Sequence, residues 1–275
     1  GSSALLTDIV PVDRRGEALG YLGVAGNTGM AGGPALGSLL TVEYGYEEMF
    51  ICSSLLGIVA LLFTLKLPET LPNARPIRPS DLNVFKGKNF EISVWPASLS
   101  LLPVACAFGV FLTITPDFVS GLGYQYKGVF NTIIVVASIS MRFVAGKASD
   151  RFGREPILAI GGFLLFLGMG ILSYSTTQLW AAIGGVVYGL SIGINMPTIF
   201  AWTADLAPKG KIALAIGTTL VSLELGIGLG AFISGSLFSS DYTWLPLLYR
   251  FCAISGLIMA LVLLFAKRKP MTSVN

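Results

Sequence analysis

A single carboxylate, Glu224, stands in a long uncharged stretch, with twelve uncharged residues before it (212–223) and sixteen after it (225–240). An ionised group at that depth in a membrane is costly, so such residues face a cavity, bind protons or pair with a neighbouring helix. Two readings follow: a carboxyl that binds substrate or protons, or a protonated structural glutamate hydrogen-bonded to the next helix. A second cluster is GKASDRFGREP (146–156), where Asp150, Arg151 and Arg154 share a turn with Gly146 and Gly153. Arg142 lies two helical turns before Asp150 and can join that network. The third stretch is GNTGMAGGPALGS (26–38), five glycines and a proline without one charge. It reads either as a loop that cradles phosphate or as a membrane helix thinned on one face.

Catalytic chemistry finds little to work with. The chain has no histidine, which removes His-based metal sites, Ser-His and Cys-His pairs and the zinc protease signature. No two in-span acids lie at helical spacing, so no enzyme is expected. The phosphate-loop reading fails as well, because no Gly-Lys-Ser/Thr ending follows and no strand precedes. Cys52, Cys106 and Cys252 all fall in apolar stretches and read as core thiols.

The elements that hold these residues are set by composition. Of the 275 residues 53% are hydrophobic and 12% charged, and the mean hydropathy is +0.76; a soluble domain carries about 25% charged residues. Long uncharged runs recur, and a bilayer core needs about 20 apolar residues per helix. Eight spans are expected, at 17–41, 47–66, 94–116, 128–148, 156–174, 179–204, 212–238 and 244–266, with residues 1–8 as the stub of another helix. Alternate connections hold 15 of the 18 Lys and Arg residues. The positive-inside rule makes that side cytoplasmic, together with the C-terminus. The basic balance is thus a topology signal, and no nucleic-acid partner is implied.

The chain also repeats itself. TDIVPVDRRGEALG (7–20) lies over ADLAPKGKIALAIG (204–217), so that Asp8 meets Asp205, Pro11 meets Pro208 and Gly20 meets Gly217. At the same offset Gly29 meets Gly226, Gly33 meets Gly230, and Asn27 meets Glu224, which puts a polar residue at one depth in both copies. Parallel six-helix repeats build transporters around a midplane site. The second copy has four spans before its Gly-rich helix and the first has only the stub. The repeat therefore predicts 12 spans in the intact protein, of which this chain holds helices 4–12.

These motifs together resemble the major facilitator superfamily, and the resemblance covers the whole chain. Gly20, Gly29, Gly33, Pro34 and Gly37 are similar to the antiporter motif of the fifth helix in drug/proton antiporters, with Ser38 where a further glycine is usual. Gly146, Asp150, Arg151, Gly153 and Arg154 resemble the superfamily's cytoplasmic motif, with Glu155 where a basic residue is common. LPET (67–70) resembles the end of the sixth helix. The resemblance implies an all-α major facilitator-type bundle: residues 1–66 end the N-terminal half, 67–93 link the halves, and 94–275 form the C-terminal half and basic tail. It implies that the glycine face packs against the other half. It further implies that Asp150, with Arg142 nearby, latches onto the start of the Gly-rich helix near Arg14–Glu17.

The function so implied is proton-coupled efflux of small, partly hydrophobic molecules by alternating access. A proton gradient, not a cofactor, drives it, and no metal site is expected. The partners are a small-molecule substrate, protons and the lipid bilayer, with a monomer when full length in a bacterial cytoplasmic (inner) membrane. A metabolite symporter or a non-transporting receptor or scaffold are the alternatives. Glu224, Asn27, Asn195 and Tyr188 are the candidate substrate or proton ligands. Substrate identity lies beyond the sequence.

Overall fold

The computed structural model of the chain describes residues 5–6, 9–11, 14–67, 90–237 and 245–265. Among these there is no strand, and a helix forms at each of the eight expected positions. In order they are α1 (Arg15–Glu43), α2 (Tyr46–Thr64), α3 (Trp95–Gly121), α4 (Lys127–Phe152), α5 (Arg154–Tyr174), α6 (Gln178–Leu206), α7 (Ile212–Leu237) and α8 (Leu245–Phe265). Most of the expected stub (1–8), most of the linker (67–93) and the basic tail lie outside the described residues.

Local chemistry sets the helix ends. Gly45 (φ +112°) and Gly153 (φ +92°) occupy the left-handed region between α1 and α2 and between α4 and α5, a conformation open to glycine at little steric cost. Glu47 and Glu48 lie in the first turn of α2, where negative charge suits the helix dipole. Thr177 caps α6 by accepting from the Trp180 amide. The largest departure from expectation is α3, which runs through Pro116 and past Asp117, the charge that closes the expected span, to Gly121. Membrane helices tolerate such prolines because neighbouring groups re-satisfy the freed backbone.

Six of the helices, α2, α3 and α5–α8, are individually long and apolar enough to cross a bilayer. Helix α4 makes a seventh when its segments Lys127–Arg142 and Val144–Phe152, bent by 42°, count as one span. Helix α1 is long enough at 29 residues, but glycines and Asn27 dilute its apolar content. The expectation of eight spans thus rests, for α1, on absence of charge and not on hydropathy.

The chain divides into two compact units. The first contains α1, α2 and the start of α4 within Gln125–Val135; the second contains α3, the remainder of α4 and α5–α8. In the second unit α3 packs along α7, and α5 lies between α6 and α8. Glycines permit this closeness. A methyl built on Gly230 would stand 2.1 Å from the Cys106 carbonyl oxygen, and one on Gly109 would stand 2.2 Å from that of Ile227. Small residues at such crossings let membrane helices associate through backbone packing.

Candidate transport and gating residues

In the first unit the Gly-rich helix meets the start of α4 through its proline. Pro34 has no N–H, so the carbonyl of Met30, four residues earlier, loses its usual helical donor. Asn131 supplies one, its Nδ2 donating to that oxygen at 3.3 Å. Thr132 Oγ1 donates to the next carbonyl, that of Ala31, at 2.8 Å. Gly128 makes the approach possible: a methyl there would lie 1.8 Å from the Pro34 oxygen. The expected glycine face behaves differently. A methyl on Gly29, Gly33 or Gly37 meets no atom within 4 Å among the described residues, so the close contact lies on the Met30–Ala31–Pro34 side. Gly20 is also in α1. At the far end, the Tyr126 hydroxyl donates to Glu43, and that bond raises the tyrosine pKa.

At the basic turn Arg154 is the organising residue. Its Nη1 donates to Asp150 and, at 2.7 Å, to Ser149 Oγ; its Nε donates to Asp205 Oδ2 at 2.8 Å. The turn therefore ties the end of α4 and the start of α5 to the end of α6. Asp150 thus pairs within its own motif. Its expected latch partner includes side chains at 15–17 that lie outside the described residues. Gly146 and Arg142 are in α4, and Arg142 is partly buried. Arg151 stacks on the neighbouring Phe152 ring, 5.2 Å from its centroid. Asp205 went unassigned in the sequence, although the repeat marked it as the counterpart of Asp8.

Three hydroxyls link α3, α6 and α7 near the same ends. Thr203 Oγ1 donates to the Ile199 carbonyl at 2.9 Å. Its one proton is then used, so Thr219, 3.0 Å away, must donate to Thr203. Thr219 in turn accepts from Ser98 at 3.3 Å, giving a directed chain from Ser98 to Thr219 to Thr203. All three residues are buried. Beside them Glu91 accepts from Lys211 at 3.0 Å and caps the turn at Ser93. The Lys211 hydrogen bond holds the Glu91 carboxyl below the ordinary glutamate range. Isolated Ser and Thr residues carry no pattern that would have revealed this chain.

The candidate ligands separate into two groups. Tyr188 and Asn195 are wholly buried in the second unit. The Tyr188 ring lies 5.4 Å from Phe111. Asn195 donates to Ser191 Oγ at 3.1 Å, and Ser191 donates to the Gly161 carbonyl. The Tyr188 hydroxyl and Asn195 Oδ1 have no hydrogen-bond partner among the described residues, so contact with a substrate would require these helices to part. Glu224 is exposed. It lies roughly 120° or more around α7 from the buried Ala215, Thr219, Gly226 and Gly230, and about 80° from the buried Ser234. Asn27 lies in α1, and its side chain is outside the described residues.

The comparisons agree with the repeat and the motifs. The family model described as Major Facilitator Superfamily matches residues 1–231 and again 131–275. The chain belongs to the major facilitator superfamily. With its apolar helices, this makes it an integral membrane protein. Among its relatives in the superfamily, the multidrug resistance protein MdtM of Escherichia coli is 27% identical over 70% of this chain and 52% of the relative. The methyl viologen resistance protein SmvA of Salmonella typhimurium is 28% identical over 75% of this chain and 42% of its own length. A multi-drug resistance efflux pump PmrA homolog of Lactococcus lactis is 23% identical over 86% of this chain and 60% of its own length. The chain thus spans about half the length of these curated relatives.

Proposed function

We propose that the chain is part of a secondary active transporter that exports small, partly hydrophobic molecules by alternating access, driven by proton entry. The observation that carries this reading is the family match over both parts of the chain, with relatives named for multidrug resistance and efflux. Glu224 supplies the physical support. A carboxyl on a membrane helix, turned from the packing of its own unit, is unfavourable against lipid and favourable against a cavity or partner helix. In this reading Glu224 and Asn27 contact substrate or protons at the midplane, and Asn195 and Tyr188 join when the helices part. Gly20, Gly29, Gly33, Pro34 and Gly37 keep the halves close. Gly146, Asp150, Arg151, Gly153, Arg154 and Arg142 form the cytoplasmic gate. The protein works as a monomer in a bacterial inner membrane, its C-terminus cytoplasmic.

The test is proton flux in proteoliposomes holding the full-length protein under a pH gradient, with methyl viologen as the first probe. Opposite movement of probe and protons supports export; movement together indicates symport, and no movement with any of a panel of lipophilic cations argues against transport. Glu224→Gln keeps shape and hydrogen bonding but cannot ionise. We expect it to abolish pH-driven efflux while exchange down a gradient persists. Wild-type pH dependence in that variant removes Glu224 from the mechanism.

A further inference from the structure

At the end of the helices away from the Asp150–Arg154 turn, α5, the first turn of α6 and α8 enclose an open groove of about 720 Å³. Phe166, Leu167 and Gly170 form one wall, Ala253 and Ile254 the other, and Trp180 stands at the rim. Among the described residues Arg250 is its one charged lining residue. It lies five residues into α8, about 7.5 Å along the axis, level with Ser173 near the end of α5. Ser173 Oγ accepts from its Nε at 3.0 Å, and its guanidinium lies over the Tyr174 ring, 4.6 Å from the centroid. These contacts orient the cation without neutralising it. Among the described residues Arg250 has no carboxylate partner, and its Nη groups meet no protein acceptor.

The surface onto which the groove opens identifies its occupant. Arg250 is the sole charged residue of α8. Below it Phe251, Ile254, Ile258, Leu261 and Val262 are exposed along that helix, a strip suited to lipid tails. Exposed Tyr174 and Trp180 are the residue types that sit at headgroup level. A cation with open donors above an apolar slot matches a phosphate above an acyl chain. Among the described residues no carboxylate lines the groove to receive the amine of a zwitterionic headgroup. We propose that this groove binds one anionic phospholipid, its phosphate on the Arg250 guanidinium and one acyl chain along Gly170, Ala253 and Ile254. The positive-inside pattern places it in the outer leaflet.

Native mass spectrometry of the full-length protein, incubated in detergent with equal phosphatidylglycerol and phosphatidylethanolamine, tests this. One phosphatidylglycerol per protein should be retained preferentially. Arg250→Gln should lower that retention about fivefold, the factor expected for one interfacial arginine, and Arg250→Lys should restore part of it. Gly170→Leu fills the slot, and a methyl on Gly170 meets nothing within 4 Å, so the fold should tolerate it; retention of both lipids should fall. Unchanged phosphatidylglycerol retention in Arg250→Gln and Gly170→Leu overturns the proposal. So does full displacement by equimolar glycerol phosphate, which would mark an anion site without a chain slot. A dimer abolished by Gly170→Leu while lipid retention is unchanged would assign the groove to a second copy and equally refute it. None of these readouts depends on transport.

Discussion

Gly128→Ala is the sharpest perturbation the structure offers. The added methyl would lie 1.8 Å from the Pro34 oxygen and 2.7 Å from the Ala35 nitrogen, where ordinary contact begins at 3.4 Å. Both atoms are backbone, so no rotamer change relieves the clash. The helices must separate by about 1.5 Å to recover normal contact. The Thr132–Ala31 bond, now 2.8 Å, and the Asn131–Met30 bond, now 3.3 Å, would both pass beyond hydrogen-bond range. Overpacking of this kind costs about 1–3 kcal/mol, and each lost bond adds about 1 kcal/mol. The Met30 carbonyl suffers further, since Pro34 gives it no alternative donor. Thermal unfolding of the detergent-solubilised protein, followed by tryptophan fluorescence, should show a clear drop in Tm for Gly128→Ala. Gly33→Ala, whose methyl meets nothing among the described residues, is the control. Equal effects from the two variants, or none from Gly128→Ala, would refute the assignment of the contact to the proline side.

Three further outcomes follow from the same geometry. Thr219→Val removes both the donor to Thr203 and the acceptor of Ser98, so stability should fall by about 1–2 kcal/mol, while Thr219→Ser should recover most of it; the comparison of Tm values decides. Glu91 titrates below the ordinary glutamate value because of Lys211, so its contribution is complete above about pH 4.3 and is lost as pH falls through the lower folded value. The Tm difference between wild type and Lys211→Met should therefore be constant near neutrality and shrink under acid conditions; a difference that grows on acidification would reverse the sign. Gly33→Leu in the full-length protein should abolish transport with membrane insertion intact, whereas near-normal efflux would mean that its face looks at lipid.

Helix number and position were legible because bilayer thickness and the cost of buried charge act on composition alone. All eight helices form where charge-free runs placed them, although Asp117, the charge that closes the run at Pro116, does not end α3, which continues to Gly121. The Asp150–Arg154 turn was legible as a motif, but its partner Asp205, 51 residues further on, was visible only as a repeat position. Pairing between helices depends on rotation about their axes, which charge-free runs do not encode. For that reason Tyr188 and Asn195 read as cavity candidates and are found between helices, whereas Glu224, read from the same kind of sequence, lies exposed. The Ser98–Thr219–Thr203 chain left no trace, because one hydroxyl per helix has no period.

The repeat gives the open face of the Gly-rich helix a counterpart for comparison. Gly226 and Gly230 of α7 are the counterparts of Gly29 and Gly33. In the second unit they lie against α3, where added methyls would stand 2.5 Å from Ala105 Cβ and 2.1 Å from the Cys106 oxygen. The same residues at the same offset in α1 have no such neighbour among the described residues. If the two copies fold alike, the face of Gly29 and Gly33 fits a helix equivalent to α3. The adjacent face, with Pro34 and the Met30 carbonyl that lacks a donor within its own helix, is already used by Gly128, Asn131 and Thr132. Helix α1 thus carries two contact surfaces about 100° apart. One is made of missing side chains and suits backbone packing; the other is made of a missing N–H and requires a polar donor. The first tolerates sliding along the helix, because van der Waals contact is nearly uniform along a glycine stripe. The second fixes register, because Asn131 and Thr132 must each find one carbonyl.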